Sequence, residues 1–270
     1  MNRMTAIDLA QKIAHRYAKL APVQAVALAG SRTSQQADTS SDIDLYVYVT
    51  HHLTLDERKE VAAEAKRAEI GNAFWEPGDE WVDAATGISC DVMFRETGWI
   101  EEQLNRMIID HQASIGYTTC FWYNVRNSTI LFDREAWFAR LQEQASAKYP
   151  AELKRNIIAK NHPILRSNMS SYLHQIELAQ ARGDVVSVNH RITALMASYF
   201  DILFAVNEQL HPGEKRLIRF VEKLCPLRPP QMREQVEHAI HDPSAPSLNE
   251  LLDGLDDVLR RENLLTPPKS

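Results

Sequence analysis

Apolar residues recur along the first part of this chain with two different spacings. Between residues 5 and 20 they follow the period of an α-helix, with Ile7, Ile13 and Tyr17 among them. Three shorter apolar runs follow, over residues 23–28, 42–49 and 87–94. Their length and their content of β-branched and aromatic residues are typical of strands. The pattern therefore predicts a helix followed by the strands of a sheet.

The segments between and after these runs are predicted less directly. A charged, alanine-rich stretch over residues 54–70 predicts a helix that Thr54 caps and Gly71 ends. Acidic residues follow a Pro77-Gly78 turn, and we expect them to lie in a solvated loop. They are Asp79, Glu80 and Asp83. Residues 117–126 and 128–132 are β-prone, and we expect them near the edge of the sheet.

After Asp133 the pattern becomes helical and stays so to the end of the chain. Helices are predicted over residues 134–147, 151–182, 184–208, 214–225, 230–241 and 247–263. Pro163 lies inside the second of these and should kink or divide it. The fold class is therefore α+β, a mixed sheet with flanking helices over residues 1–133 followed by an all-helical domain over residues 134–270.

Two aspartates open the second apolar run, as Asp42-Ile43-Asp44. Residues two apart in a strand share a face, so we expect the carboxylates of Asp42 and Asp44 to project together. Such a pair favours a cation between them, and hard oxygen ligands suit Mg²⁺, which commonly arrives with a substrate phosphate. Gly30-Ser31 follows the first apolar run and offers a backbone that a phosphate can approach closely. The combination predicts a magnesium and phosphate site.

Composition and charge narrow the classes of protein. The formal net charge is −6, and a protein that binds nucleic acid usually shows a basic face, so nucleic acid ranks low among the expected partners. The three cysteines form no CxxC pair, which disfavours a disulfide framework or a cysteine zinc site. No apolar run approaches the length of a membrane span. We expect a cytoplasmic protein that makes no membrane contact.

The segment Gly30-Ser31-Arg32, a polar spacer and Asp42-Ile43-Asp44 together resemble the signature of the DNA polymerase β-like nucleotidyltransferase superfamily. That family places a third carboxylate on a later strand, and Asp91 has this setting in the run over residues 87–94. A nucleotidyltransferase domain followed by helices, at this chain length, resembles the branch that modifies aminoglycoside or lincosamide antibiotics. The resemblance implies a catalytic domain over residues 1–133 and a helical substrate- and nucleotide-binding domain over residues 134–270.

The resemblance also implies a mechanism. A nucleoside monophosphate, expected to be AMP from ATP although another NTP is open, would pass to a hydroxyl of a small molecule with release of pyrophosphate. Asp42, Asp44 and Asp91 would hold two Mg²⁺ ions against the triphosphate. Asp91 is the candidate general base, with Glu96 as a lesser one. An antibiotic is one candidate acceptor, and the enzyme is expected to be a monomer or a homodimer.

Further residues are candidates for contacting the nucleotide. Gly30, Ser31 and Arg32 would contact the phosphates. In the helical half, Lys215 and Arg216 follow a Pro-Gly break at the start of a predicted helix, whose N-terminus attracts anions. A second basic cluster comprises Lys154, Arg155, Lys160 and Arg166. The alternative for both clusters is a solvated helix face.

Other interpretations stay open. The aromatic run Phe121-Trp122-Tyr123 would line a pocket or pack in the core, with packing the default. The ten histidines show no HExxH or comparable ligand set. The chain could be a nucleotidyltransferase that acts on a protein or a tRNA, as toxin–antitoxin regulators of this fold do. It could also be a non-catalytic nucleotide-binding protein.

Overall fold

The computed structural model describes residues 4–29, 42–73 and 76–265. Contacts group the chain into two compact units. The sheet unit is Met1–Leu104 with Asn124–Ala147, and the helical unit is Asn105–Tyr123 with Lys148–Ser270. The single boundary after residue 133 stays a prediction. By contacts, residues 134–147 group with the sheet unit and residues 105–123 with the helical unit.

Strands and helices alternate along the sheet unit. In chain order they are α1 (Ala6–Tyr17), β1 (Val23–Ala29), β2 (Ile43–Val49), α2 (Leu55–Val61), β3 (Ala65–Asn72), β4 (Gly78–Asp83), β5 (Ser89–Glu96), α3 (Thr97–Ile108), α4 (Cys120–Asn127), β6 (Thr129–Asp133) and α5 (Trp137–Gln144). By contacts, α3 begins in the sheet unit and ends in the helical unit, and α4 begins in the helical unit and ends in the sheet unit. A short 3₁₀ turn, Arg134–Ala136, precedes α5.

Helices make up the regular structure of the rest of the described chain. They are α6 (Ala151–Arg166), α7 (Tyr172–Ala181), α8 (Val185–Val206), α9 (Leu217–Leu224), α10 (Met232–His241) and α11 (Ala245–Arg261). The predicted helix over residues 151–182 is divided, and α6 ends three residues after Pro163. No helix in the described residues combines the length and apolar character that crossing a membrane requires.

The described strands form one six-stranded sheet in the order β3-β4-β5-β2-β1-β6. Only β2 and β5 run parallel within it, and the other neighbours are antiparallel. The strand predicted near residues 128–132 is β6, and it lies at an edge as expected. A mixed sheet with flanking helices, followed by a helical part, confirms the predicted α+β class.

One face of the sheet carries the main core of the sheet unit. Along β2 the alternate residues Ile43, Leu45 and Val47 are fully buried. They cluster with the apolar side of α1, which includes Leu9 and Ile13. The capping box at Thr5 starts that helix. These core-facing positions follow the period of two of a strand and the period of 3.6 of a helix.

The predicted helix over residues 54–70 is wrong beyond Val61. Thr54 does cap a helix, as predicted, but α2 ends early and Ala65–Asn72 forms the edge strand β3. The alanine- and charge-rich composition favours a helix only weakly. Antiparallel pairing with β4 supplies backbone hydrogen bonds from Ala65 to Asn72, and this pairing outweighs the weak preference for a helix.

The β-prone stretch over residues 117–126 is also not a strand. Its second half forms the helix α4, and Trp122 on that helix is fully buried. The Trp122 ring stacks on Tyr149, with ring centroids 5.8 Å apart. Aromatic residues have high strand propensity, yet here packing against one helix face decides the conformation. The default expectation of core packing is confirmed for Trp122.

The acidic residues after Pro77-Gly78 do not lie in a solvated loop. They belong to β4, and Asp79 and Asp83 are both buried. The Arg58 side chain donates to both carboxylate oxygens of Asp79, at 2.9 and 2.5 Å, and the Gly71 N–H donates to the same carboxylate at 2.8 Å. A buried carboxylate needs such compensation. These contacts hold α2 against the β3–β4 hairpin.

Candidate functional site

Asp44 and Asp91 are direct partners across two parallel strands. In the pairing of β2 with β5, Ile43 aligns with Cys90 and the next pair is Asp44 with Asp91. Directly paired residues project to the same face of a sheet, with strands about 4.8 Å apart. Both side chains are partly exposed. The structure therefore brings together two of the three predicted carboxylates, Asp44 and Asp91, which lie 47 residues apart in the sequence.

Asp42 lies one residue before β2 and is exposed. It is two positions from Asp44, so an extended backbone would turn both side chains to one face. Among the described residues, no group of three or more His, Cys, Asp or Glu side chains is arranged to hold a metal ion. The donor chemistry of the Asp44–Asp91 pair fits a hard divalent cation. The two-magnesium site stays a prediction.

Along β2 and β5 after Asp44 and Asp91, the same face of the sheet carries aromatic side chains and is covered by α5. Tyr46 aligns with Met93, and Tyr48 aligns with Arg95. Tyr48 is fully buried, and its ring lies 4.8 Å from that of Phe138 on α5. The face thus grades from packed core under α5 to partly exposed carboxylates at the start of β2 and β5.

A buried arginine separates the two ends of this face. The Arg95 guanidinium lies 3.9 Å from the centre of the Tyr46 ring and donates two hydrogen bonds of 2.8 Å to Glu76. Burial lowers the pKa of Arg95, but Glu76, Tyr46 and Tyr48 together more than offset that effect, so the pKa is raised. Arg95 is therefore a fixed cation that orients Tyr46, next in line after Asp44.

Glu80 is a carboxylate that the sequence interpretation placed in a loop. It lies on β4 directly opposite Asp91, and Glu69 on β3 lies opposite Glu80. Four acidic residues thus occupy one line across four strands, Glu69, Glu80, Asp91 and Asp44. Glu69 pairs with Arg67 at 2.8 Å, and Glu80 accepts from Asn72 at 3.3 Å. In β4 buried and more exposed residues alternate, but the sequence does not show this pattern because two of the buried residues, Asp79 and Asp83, are acidic.

The strand that precedes the predicted phosphate-binding segment ends next to the carboxylates in the sheet. β1 ends at Ala29, and Ala29 aligns with Asp44 in the antiparallel pairing of β1 with β2. Gly30, Ser31 and Arg32 follow immediately and lie outside the described residues. The topology therefore directs the chain into this segment from the position next to Asp44.

Glu96, the lesser candidate base, is far from the pair. It ends β5, five residues after Asp91, and lies across from Val49. At about 3.3 Å per residue this is about 16 Å, and an odd separation puts the two side chains on opposite faces. The Glu96 carboxylate lies 3.3 Å from Nε2 of His52. Glu96 is not positioned to act together with Asp91.

The second basic cluster of the helical half, from Lys154 to Arg166, makes ion pairs and hydrogen bonds within the helical unit. Lys154 pairs with Glu208 at 2.7 Å, and Lys160 donates to the Ala113 carbonyl at 2.7 Å. Arg166 pairs with Asp256 and Asp253 at 2.5 and 2.7 Å. Arg155 pairs with Glu152 one turn earlier on the same helix. These contacts tie the cluster to neighbouring parts of the helical unit, and phosphate binding by it stays a prediction.

Lys215 and Arg216 are exposed in a loop that a buried histidine anchors. The N–H of His211 donates to Thr119 at 2.7 Å, and its ring accepts from the Gly213 N–H at 3.2 Å. Burial lowers the pKa of His211 to about 3, so the ring is neutral. Arg216 has a positive φ of 59° and immediately precedes α9. Phosphate binding by Lys215 and Arg216 stays a prediction.

Two family profiles match separate parts of the chain. Residues 11–74 match "Polymerase beta, Nucleotidyltransferase". The match covers the second half of α1, the strands β1 and β2 and the Asp42-Ile43-Asp44 segment. Residues 121–217 match "Domain of unknown function (DUF4037)". The first match confirms the predicted superfamily and supports nucleotidyl transfer in general. The antibiotic branch stays a prediction.

Comparisons with whole proteins add less. No curated protein matches the chain. A nucleotidyltransferase-like protein from Exiguobacterium sibiricum, solved at 1.90 Å resolution, aligns over 94% of this chain and 74% of its own, with 13% identity and a TM-score of 0.45. At that score the likeness carries no argument about function, which rests on the residues of this chain.

Proposed function

We propose that this chain, whose N-terminal part belongs to the polymerase β-like nucleotidyltransferase superfamily, transfers a nucleoside monophosphate from an NTP to a hydroxyl group of a small molecule. ATP is the proposed donor, and pyrophosphate is the second product. The single observation that supports this is the alignment of Asp44 with Asp91 on neighbouring parallel strands, next to the end of β1. A rigid sheet holds the two carboxylates at a fixed spacing.

The proposed roles of the residues follow from their positions. Asp42, Asp44 and Asp91 would bind Mg²⁺, and the Gly30-Ser31-Arg32 segment would bind the triphosphate. Bound Mg²⁺ would neutralise charge on the phosphate oxygens and assist in-line displacement. Asp91 would accept the proton of the attacking hydroxyl, because it lies deeper in the sheet than Asp42 and opposite Asp44. Lys215 and Arg216 are proposed as additional phosphate contacts.

The acceptor is proposed to be a small hydroxyl-bearing molecule, with aminoglycosides and lincosamides as the first to test. The acidic line from Glu80 to Asp44 would favour an acceptor that carries a positive charge. A cytoplasmic location, and a monomer or homodimer, stay predictions beside this proposal.

The test is transfer of label from α-³²P-labelled NTPs by the full chain with Mg²⁺. The acceptors are aminoglycosides, lincosamides, cell metabolites, tRNA and protein, each in a separate reaction. Asp44→Asn and Asp91→Asn are the active-site variants. Asp56→Asn is the matched control, because that side chain is 94% exposed and lies on α2 of the same unit.

Label on a small molecule that both active-site variants lose, and Asp56→Asn keeps, would establish the proposed reaction. Label on tRNA or protein would replace the acceptor class and keep the chemistry. Nucleotide binding by calorimetry with no transfer to any acceptor would favour a non-catalytic binding protein. Without either binding or transfer, the proposed function is rejected.

A further inference from the structure

A short segment crosses the helical unit and is held mainly by side chains of the helices beneath it. We call residues 111–119 the strap; it connects α3 to α4 without regular structure of its own. Asn156 donates to the His111 carbonyl at 2.9 Å, and Lys160 donates to the Ala113 carbonyl at 2.7 Å. Both come from α6. Side chains thus provide hydrogen bonds to backbone carbonyls of the strap. A segment that is held in this way can open locally while the helices stay folded.

The middle of the strap is fastened by a fully buried asparagine. Asn161 accepts from the Gly116 N–H at 2.9 Å and donates to the Ser114 carbonyl at 2.9 Å. At Gly116, a side-chain Cβ would lie 2.9 Å from the Cβ of Ala197 on α8. The strap therefore lies tightly on both α6 and α8 at this point.

The end of the strap is fastened by a carboxylate. Asp201, in the interior of α8, is 1% exposed. Its two oxygens accept from the Thr118 N–H at 3.0 Å and from the Thr118 hydroxyl at 2.7 Å. Both of these donors are neutral, whereas buried carboxylates are usually matched by a cation. Burial raises the pKa of Asp201 to about 7, although the two Thr118 hydrogen bonds oppose that effect.

The other titratable groups around Asp201 are neutral near pH 7. Tyr117 and Cys120 interact with it from the strap side, and Tyr149 does so from the segment before α6. Burial raises the pKa of each of these three groups. His211, which contacts Cys120 at 3.4 Å, is neutral because burial lowers its pKa. None of these groups offers a charge that balances an ionised Asp201.

The strap also holds backbone strain. His111 and Tyr117 have positive φ values of 53° and 55°, a region that side chains other than glycine rarely adopt. The Tyr117 ring packs against the His211 ring, with centroids 4.9 Å apart. Opening of the strap would relax these residues, so the closed state depends on the contacts that Asn161 and Asp201 make.

We propose that the strap is a proton-sensitive latch, closed when Asp201 is protonated and loosened when Asp201 loses its proton. Ionisation leaves a charge in a buried site where, within the described part of the chain, the donors to it are the Thr118 N–H and hydroxyl. Opening admits water to the carboxylate and releases the strained backbone at Tyr117. This inference concerns the helical unit alone and does not depend on the proposed transferase activity.

The test is amide hydrogen exchange of the full chain between about pH 5 and about pH 8, corrected for the intrinsic dependence of exchange on pH. The reporters are the amides of Gly116 and Thr118. The free energy of opening should fall with pH because the closed state, with its raised pKa, binds the proton more tightly than the open state. Protection should therefore fall by up to about tenfold per pH unit below pH 7 and level off above it.

Asp201→Asn is the decisive variant, because it keeps the shape of the side chain but cannot ionise. Its amide oxygen can still accept from the Thr118 N–H, and its NH₂ group would donate to the Thr118 hydroxyl oxygen, which reverses that hydrogen bond. Protection in this variant should be independent of pH. Asp110→Asn, an exposed site at the start of the strap, is the matched control and should behave as the parent does. An unchanged pH dependence in Asp201→Asn, or none in the parent protein, would overturn the proposal.

A second variant keeps the carboxyl group and guards against a folding defect in the first. Thr118→Val removes the hydroxyl donor, so it should move the midpoint of the protection change to higher pH. Thr118→Ser keeps the donor and should restore the parent midpoint. Midpoints that are the same in the Val and Ser variants would also contradict the latch.

Discussion

The sheet unit and the helical unit each bury a carboxylate, but they compensate it differently. Asp79 in the sheet unit is 0% exposed and receives two charge-assisted hydrogen bonds from Arg58. Asp201 in the helical unit is 1% exposed, and among the described residues its hydrogen-bond donors are the two neutral groups of Thr118. The first is an ion pair that fastens two elements of the fold, and the second is a carboxyl group whose charge depends on pH.

The difference shows what a buried carboxylate needs in order to stay ionised. A cation within hydrogen-bonding distance offsets desolvation, whereas neutral donors offset it only in part. Asp44 and Asp91 represent a third case, since each is partly exposed and faces a like charge. Solvent, or a bound cation, can stabilise that pair. Surroundings thus separate the structural role of Asp79 from the switching role proposed for Asp201 and the catalytic role proposed for Asp44 and Asp91.

The largest expected effect is on the exposed pair. Asp44→Asn or Asp91→Asn should lower the rate of nucleotidyl transfer by about 10²- to 10⁴-fold, because a charged ligand or base is lost. Stability to urea should stay the same or rise slightly, since two like charges no longer face each other. Steady-state kinetics and urea unfolding check the two halves of this prediction. A loss of rate that accompanies unfolding would point instead to a structural role.

Removing the cation from the buried ion pair should destabilise the sheet unit. Arg58→Met leaves Asp79 buried without its counter-charge and should lower the free energy of unfolding by about 3–5 kcal/mol. The control is Lys59→Met, since Lys59 is exposed and its pair with Asp56 contributes little. Pairing Arg58→Met with Asp79→Leu should recover much of the loss. If both Met variants had similar stabilities, Asp79 would not depend on Arg58.

The buried carboxylate that is held by neutral donors, Asp201, should make stability depend on pH. The pKa of Asp201 is raised in the folded state, so its contribution to stability is present below the unfolded pKa and is lost as pH rises through about 7. Relative to Asp201→Asn, the parent should lose about 1–3 kcal/mol between about pH 5 and about pH 7. Urea unfolding at several pH values measures this difference. Parallel curves for the two proteins would contradict the prediction.

The smallest effect is expected at the exposed end of the acidic line. Glu80 aligns with Asp91 but is exposed, so Glu80→Gln should change the transfer rate by less than about threefold with a neutral acceptor. A cationic acceptor should show the larger rise in KM. Comparing the two acceptors in the same variant separates attraction of substrate from catalysis. A rate loss as large as that of Asp91→Asn would make Glu80 part of the catalytic group.

Several features of this protein followed from the sequence because they depend on neighbouring residues. The apolar run over residues 42–49 and the helical spacing near Ile13 predicted β2 and α1, and Thr54 predicted the start of α2. The Gly30-Ser31 and Asp42-Ile43-Asp44 segments were enough to predict the superfamily. Local propensity and short spacing carry this information within the chain itself.

Only the tertiary structure decided what depends on distant partners. The edge strand β3 exists because it pairs with β4, and the alignment of Glu80 with Asp91 appears only when that sheet is formed. Asp79 became a buried ion-pair partner, and Asp201 became a buried carboxylate held by Thr118, 83 positions away in the sequence. Burial and pairing set the charge and the role of each acidic residue, and both are properties of the folded chain.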